Sequence, residues 1–175
     1  MWVDLIAETL GLLSGIPVLI SVQLKSVKKM LIAGAVGNLL IGVSYLMQGG
    51  LSSFWLCMIG NVNLAINLYY LERGKKNPWS VTLAFIGINF VSTLLSWTGW
   101  LSIVPFVAGQ CGTIASRQKQ PRFYRLFMLF NAAIWCGYDI CLMAWTSALI
   151  HGSLFISTAV GVFRNKDWSL SPVKE

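Results

Sequence analysis

Asp139 and His151 are the residues of this chain whose types and spacing suggest proton chemistry inside an apolar segment. Asp139 lies in the interior of a long apolar segment, and His151 is the single histidine. They lie six residues before and six residues after Trp145, so two antiparallel helices that turn there bring both side chains to a similar depth. A hydrogen-bonded pair of this kind responds to pH, which makes Asp139 a candidate proton-coupling residue. The alternative is that Asp139 reaches the polar surface beyond its segment and bonds to solvent.

Other catalytic patterns are absent from the sequence. It contains no HExxH, GxSxG, paired-carboxylate or phosphate-loop pattern, and a single histidine disfavours a metal-dependent hydrolase. The four cysteines lie in apolar segments without metal-ligand spacing and are expected to be core thiols. We therefore expect neither an enzyme nor a metal or cofactor site.

The composition predicts that the elements carrying these residues are membrane-spanning helices. Of the 175 residues, 56% are hydrophobic and 11% are charged, whereas soluble domains have roughly 25% charged residues. The apolar residues form long runs rather than alternating, and a spanning helix needs about 20 of them, or about 17 in a thin bilayer. Seven segments qualify and predict an all-α polytopic membrane protein: 5–23, 30–47, 51–70, 79–97, 100–116, 124–144 and 147–163.

The basic residues predict the orientation of these segments. Three of the six connections contain no Lys or Arg, and the other three together with the C-terminal tail carry all 13. With seven spans they all fall on one side, which the positive-inside rule assigns to the cytoplasm. We therefore expect the N-terminus outside and the C-terminus in the cytoplasm. Because topology accounts for the net charge of +7, no nucleic-acid partner is expected.

Short stretches of the first three segments recur in the last three. LSGIP at 13–17 matches LSIVP at 101–105, and NLLIGVSY at 38–45 matches NAAIWCGY at 131–138. Since each unit has three spans, one inserted helix gives both units the same orientation. The predicted organisation is a repeat at 1–76, a linker helix at 77–99, a second repeat at 100–166 and a disordered cytoplasmic tail at 167–175.

A 3+1+3 arrangement with Pro17 and Pro105 in the first helix of each repeat resembles the SWEET and PQ-loop superfamily of small-solute transporters. Val22-Gln23-Leu24 resembles a PQ-loop in which valine replaces proline. Pro105, Trp135 and Gly152-Ser153 after a polar residue are most similar to the YgjV-type proteins of the bacterial inner membrane. The incomplete PQ pair and the second helices without proline depart from true SWEETs.

This resemblance implies a substrate site between the two repeats. It sets Trp135 opposite Gly42, and His151 opposite Gly60 or Asn61, so that the indole forms one wall and can stack on a sugar ring, a nucleobase or a cation. The alternative is that Trp135 only packs against neighbouring side chains, and that Tyr45 and Tyr138 only anchor their helices at the membrane interface. The remaining candidate substrate-binding residues are Asn38, Asn131, Tyr45 and Tyr138.

The two prolines are candidate hinges. A proline inside a helix removes a hydrogen-bond donor and displaces the carbonyl four residues back, here Leu13 and Leu101. In a membrane such carbonyls need hydrogen-bond partners, so we expect each kink to face other helices or a water-filled cavity. The hydroxyls of Ser14 and its counterpart Ser102 are close enough in sequence to help satisfy these carbonyls. The alternative is that prolines are simply common in membrane helices.

The resemblance implies a transporter that moves a small metabolite, either a sugar or a nucleoside-like or vitamin-like solute, by alternating access in the bacterial inner membrane. Its expected partners are the lipid bilayer and this solute, and homo-oligomerisation is left open. The alternative is a non-transporting receptor or accessory subunit built on the same scaffold.

Overall fold

The computed structural model describes residues 2–48, 51–95, 97, 99–141, 143 and 145–164. Over these residues the chain is helical and contains no strand, which confirms the predicted all-α class. The predicted tail at 167–175 lies outside the described residues. The described part contains seven α-helices: α1 Trp2–Ser21, α2 Val27–Met47, α3 Leu51–Glu72, α4 Trp79–Leu95, α5 Ile103–Ser116, α6 Pro121–Cys141 and α7 Trp145–Arg164.

Three of the described helices are long and apolar enough to cross a membrane on length and composition. They are Val27–Met47, Phe54–Glu72 and Ser147–Arg164. Three further apolar stretches are shorter: Leu5–Ser21, Trp79–Leu95 and Trp100–Ser116. The helix α6 has the length of a span, but its Arg122, Arg125 and Asp139 make it more polar than the first three. The surface of the bundle is apolar, with highly exposed side chains such as Leu95 and Phe163, as a lipid-facing surface requires.

The helices pack mainly against their neighbours in sequence. In the first half of the chain (α1–α3), α2 contacts both α1 and α3; in the second half (α5–α7), α6 contacts both α5 and α7. The helix α4 packs on α5. The main contacts between the halves join α1 to α7 and α3 to α5. The third helix of each half thus contacts the first helix of the other half. These contacts do not test the domain boundaries, which stay a prediction.

A glycine allows α1 and α2 to approach closely at Pro17. A Cβ atom on Gly37 of α2 would lie 2.5 Å from Val18 Cγ2, 2.9 Å from the Ser14 carbonyl oxygen and 3.4 Å from Pro17 Cγ. Further along the same interface, the Ser44 hydroxyl donates a hydrogen bond of 2.6 Å to the Ala7 carbonyl. The interior proline of α1 therefore faces a neighbouring helix, as expected.

The two prolines occupy different positions in their helices. Pro17 lies inside α1, whereas Pro105 lies in the first turn of α5, directly after the 3₁₀ turn Trp100–Ser102. A proline in a first turn removes no intrahelical hydrogen bond, because the N–H groups there have no partner within the helix. The expectation of matched kinks in two helix interiors is therefore wrong at Pro105. The Ser14 hydroxyl, moreover, donates to the Gly11 carbonyl at 2.6 Å, not to that of Leu13.

The three basic connections meet at one end of the bundle, which we call the basic end. Lys28 at the start of α2 forms an ion pair of 2.9 Å with Glu72 at the end of α3. Lys119, after α5, donates a hydrogen bond to the Gly74 carbonyl after α3. Arg125 of α6 donates to the Val22 carbonyl just after α1. The described basic loops therefore lie together, as the charge pattern predicts.

Candidate functional site

Asp139 and His151 form the hydrogen bond that their spacing predicts. His151 Nδ1 of α7 lies 2.6 Å from Asp139 Oδ2 of α6. Asp139 is only 6% exposed, so the alternative that it reaches the polar surface and bonds to solvent is wrong. The antiparallel turn before Trp145 brings the two residues to the same depth, because the helices on either side of it pack against each other.

Two aromatic side chains complete this site. The Trp135 indole stacks on the His151 imidazole, with ring centroids 5.7 Å apart and planes inclined by 14°. Tyr138 meets the edge of Trp135 at 5.7 Å and 81°. Trp135, Tyr138 and Asp139 share one face of α6 because they are spaced three and four residues apart. We call Trp135, Tyr138, Asp139 and His151 the aromatic–acid cluster.

The cluster determines which nitrogen of His151 can meet a solute. A carboxylate accepts the Nδ1–H of the imidazole, which selects the tautomer whose Nε2 is an acceptor. When the ring takes up a proton, Nε2 becomes a donor, and the positive charge lies beside Asp139 and over the Trp135 face. The arrangement can therefore bind and release a proton, or present a polar nitrogen beside a flat aromatic surface.

The first half of the chain lies beside the cluster. A Cβ atom on Gly15 of α1 would lie 3.7 Å from Ile150 Cγ2, the neighbour of His151 in α7. Helix α1 therefore packs on α7 within one residue of His151, and the place of Tyr45 of α2 in the site stays a prediction.

The two glycines that were predicted to face large side chains across the halves lie at a contact between helices of the first half. The atoms nearest to a Cβ on Gly42 belong to Cys57 and Met58 of α3, and those within 4 Å of a Cβ on Gly60 belong to Asn38. Helices α2 and α3 pack directly on each other at these glycines. Trp135 and His151, for their part, stack on each other within the second half. The glycines therefore allow α2 and α3 to approach closely, and their pairing with Trp135 and His151 across the halves stays a prediction.

The two asparagines at matching positions of the repeat both join helices, but they join different ones. Asn38 Nδ2 donates to the Cys57 carbonyl at 2.9 Å and lies 3.4 Å from Asn61 Oδ1, linking α2 to α3. Asn131 Nδ2 donates to the Ala108 carbonyl at 2.7 Å, linking α6 to α5. These amide donors thus bond between helices, and the two positions are not equivalent in space.

A groove of about 300 Å³ lies between α2 and α3. Asn61 is the predicted site residue that lines it, and the other lining residues are apolar, among them Leu31, Val36 and Leu64. Several of these side chains are exposed on the apolar surface, Val36 by 48%. The groove is thus a surface feature of the first half and is separate from the aromatic–acid cluster.

A buried polar network joins α3 to α5, and sequence reasoning missed most of it. Ser116 Oγ lies 3.2 Å from Asn63 Nδ2 and 3.1 Å from Asn67 Nδ2, and Asn77 Nδ2 donates to Asn67 Oδ1 at 3.0 Å. Arg117 Nε donates to the Asn77 carbonyl at 2.8 Å. The four-residue spacing of Asn63 and Asn67 could have predicted that the two amides share a face of α3. Ser116 and Asn77 lie at or near helix ends, and their spacing in the sequence predicts no such contact.

A second polar contact joins α1 to α7. Gln23, the residue that resembles the glutamine of a PQ-loop, donates from Nε2 to the Ser157 hydroxyl at 2.8 Å and to the Ser157 carbonyl. Among the described residues, no group of three or more His, Cys, Asp or Glu side chains is placed to hold a metal ion. The candidate functional features of the described chain are thus the aromatic–acid cluster and two polar seams between the halves.

These features define a helical membrane protein with a buried acid–histidine pair and polar seams between two three-helix units. The sequence matches the Imp-YgjV family, described as bacterial inner membrane protein, over residues 5–168, and the chain belongs to this family. The chain matches no curated protein and no solved structure. The predicted family is therefore confirmed, and the likeness to SWEETs remains a resemblance.

Proposed function

We propose that this protein carries a small neutral or weakly charged metabolite across the bacterial inner membrane by alternating access. The solute class is a sugar or a nucleoside-like or vitamin-like molecule. The observation that supports this proposal most is the aromatic–acid cluster, in which Trp135 stacks on His151 while Asp139 binds the imidazole edge. Polar and ionisable groups inside a membrane are costly and usually mark a solute or ion pathway.

The cluster suits a solute that has a flat apolar face and polar edges. An indole stacks on sugar rings and nucleobases, and His151 Nε2 offers a hydrogen bond at the edge of the stack. Ile150, the neighbour of His151 in α7, contacts Gly15 of α1, so a solute at the cluster would lie close to both halves. Tyr45 and Tyr138 are the further candidates for contacts with the solute.

The packing of the halves supports movement between two states. Contacts are dense within each half, whereas the main contacts between the halves involve only the pairs α1–α7 and α3–α5. Units packed in this way can rotate as bodies about a shared interface. In this proposal the halves are two parallel repeats in a SWEET-like 3+1+3 arrangement, α4 is the linker, and Pro17 is the hinge of the first half.

Asp139 is the proposed proton-coupling residue. It is buried and bonded to the only histidine of the chain, so a proton taken up by the pair changes the charge beside the stacked rings. A carrier coupled in this way accumulates solute when a proton gradient is imposed. The basic end faces the cytoplasm in this proposal, since Lys and Arg are retained on that side.

The test is uptake by the purified protein in liposomes. Radiolabelled glucose, uridine and thiamine are supplied separately, with protein-free liposomes and the Trp135→Ala variant as controls. Uptake of at least one solute above the protein-free level, lost in the Trp135→Ala variant, is expected. Binding of a solute without any uptake would favour the non-transporting receptor instead, and absence of both binding and uptake would contradict the proposal.

A further inference from the structure

The segment 116–125 runs from the last residue of α5 through the following loop into the first turns of α6, and we call it the connector. Its two terminal residues, Ser116 and Arg125, are both 3% exposed. One end of the connector bonds to the residues just after α1, and the other end bonds to the C-terminal half of α3 and to the loop that follows it. These contacts lie at the basic end, away from the aromatic–acid cluster.

Arg125 holds the end of α1. Its Nε donates to the Val22 carbonyl at 2.7 Å, and its Nη2 donates to the Leu24 carbonyl at 2.6 Å. Carbonyls at the C-terminal end of a helix have no partner within the helix and carry partial negative charge, so a guanidinium is a suitable partner for them. A Cβ atom on Gly161 of α7 would lie 2.9 Å from the Val22 carbonyl oxygen and 3.3 Å from Arg125 Nε. Glycine at position 161 therefore leaves room for this contact.

The start of the connector contacts the C-terminal half of α3 and the loop that follows it. Ser116 lies within hydrogen-bond distance of both Asn63 and Asn67. Arg117 Nε donates to the Asn77 carbonyl, and its guanidinium lies 3.9 Å from the centre of the Trp79 ring. Lys119 donates to the Gly74 carbonyl. Backbone carbonyls of the first half are thus bonded at several points by side chains of one short segment.

We infer that the connector 116–125 is a gate that closes the basic end between the two halves. The Arg125 guanidinium keeps its two carbonyl partners, and Ser116 keeps its two amide partners, only while the halves are together. Separation at this end therefore requires that both sets of bonds break and that water replaces them. Because both sets belong to one connector of ten residues, the two contacts open together. The link between this gate and solute movement rests on the proposed function, whereas closure of the basic end does not.

The test is a distance measurement between spin labels at the basic end of the full chain in liposomes. Labels are attached at Lys29→Cys in α2 and Phe163→Cys in α7, both exposed positions, after the four native cysteines are replaced by alanine. Four changes are then compared: Arg125→Gln, Arg125→Lys, Asn67→Ala and, as the matched control, Arg73→Gln. The described contact of Arg73 is with the Tyr69 ring, within its own half.

The expected result is one distance population in the parent protein and in Arg73→Gln. Arg125→Gln and Asn67→Ala are each expected to add a second, longer population. Arg125→Lys keeps the charge and one donor. The fraction of molecules with the longer distance is therefore expected to be smaller in this variant than in Arg125→Gln. If Arg125→Gln does not fold, Asn67→Ala and Arg125→Lys decide the test. A single, unchanged distance in all variants that fold would overturn the inference.

This test separates the gate from the proposed function because it needs no solute. A longer population in the Arg125 variants, together with no uptake of any solute by the parent protein, would retain the gate and reject the carrier. Uptake by the parent protein with unchanged distances in all variants would retain the carrier and reject the gate.

Discussion

The Trp135 indole lies parallel to the His151 imidazole, with centroids 5.7 Å apart, while Asp139 Oδ2 lies 2.6 Å from Nδ1 of the same imidazole. One side chain thus fixes the plane of the ring, and the other fixes its rotation and its tautomer. In the proposed carrier the imidazole is held before any solute arrives, so little conformational freedom is lost on binding.

The bond between Asp139 and His151 is expected to contribute to stability. Asp139→Asn should lower the free energy of unfolding by about 1–3 kcal/mol, because a buried hydrogen-bonding group loses its charged partner. A cycle with His151→Gln should show a coupling of about 0.5–3 kcal/mol. Unfolding of the purified protein in micelles measures both quantities. The control is Glu72→Gln, which removes an exposed ion pair with Lys28 and should lower the free energy of unfolding by about 0–1 kcal/mol. A loss in Asp139→Asn no larger than that in the control would refute the prediction.

Close packing at Gly37 is expected to tolerate no added methyl group. Gly37→Ala should destabilise the protein by about 1–3 kcal/mol, because the new Cβ meets Val18 and the Ser14 backbone and forces the helices apart. Gly87→Ala in α4 is the matched control, since nothing lies within 4 Å of a Cβ there. The control should be stabilised by about 0.5–1 kcal/mol, the helix propensity difference. Thermal unfolding of both variants checks this, and equal effects would contradict it.

The hinge role of Pro17 predicts a kinetic effect. Pro17→Ala restores a donor for the Leu13 carbonyl and straightens α1, so the change between states should slow, by about fivefold for each 1 kcal/mol added to the barrier. Pro105→Ala should change the rate little, because Pro105 lies in the first turn of α5. Initial rates of solute uptake in liposomes distinguish the two variants. A slower rate in Pro105→Ala alone would reverse the assignment.

The orientation predicts which positions a membrane-impermeant maleimide reaches in cells whose inner membrane is exposed to the reagent. A chain whose only cysteine is Cys141, exposed at the end of α6 opposite the basic end, should be labelled from outside. A cysteine-free chain with Lys76→Cys, at the basic end, should be labelled only after the membrane is opened. The reverse pattern would place the basic end outside.

The parts of the fold that depend on local sequence could be predicted. Helix lengths and the meeting of Asp139 with His151 follow from apolar runs and one antiparallel turn. Asn61 and Asn63 lie about 200° apart around the helix axis, at 100° per residue, and they accordingly face different helices, towards Asn38 and Ser116 respectively.

The features that the sequence missed depend on position in space. The match of LSGIP with LSIVP says nothing about where each helix begins, so Pro17 and Pro105 looked equivalent although α5 starts much closer to its proline. The bond between Arg125 and Val22 spans 103 positions of the chain and leaves no local pattern. The contact of Gly42 with Cys57 depends on the packing of α2 on α3 and likewise has no local signal.

The measurement that tests the central claim most directly is a thermal-shift assay of the detergent-purified protein with glucose, uridine and thiamine. A solute at 100 times its dissociation constant stabilises the folded state by about 2.7 kcal/mol. We predict that at least one solute raises the unfolding temperature of the parent protein and of Trp100→Ala, whose indole is 83% exposed, but not that of Trp135→Ala. A rise that Trp135→Ala retains in full, or no rise with any solute, would contradict a solute site at the aromatic–acid cluster.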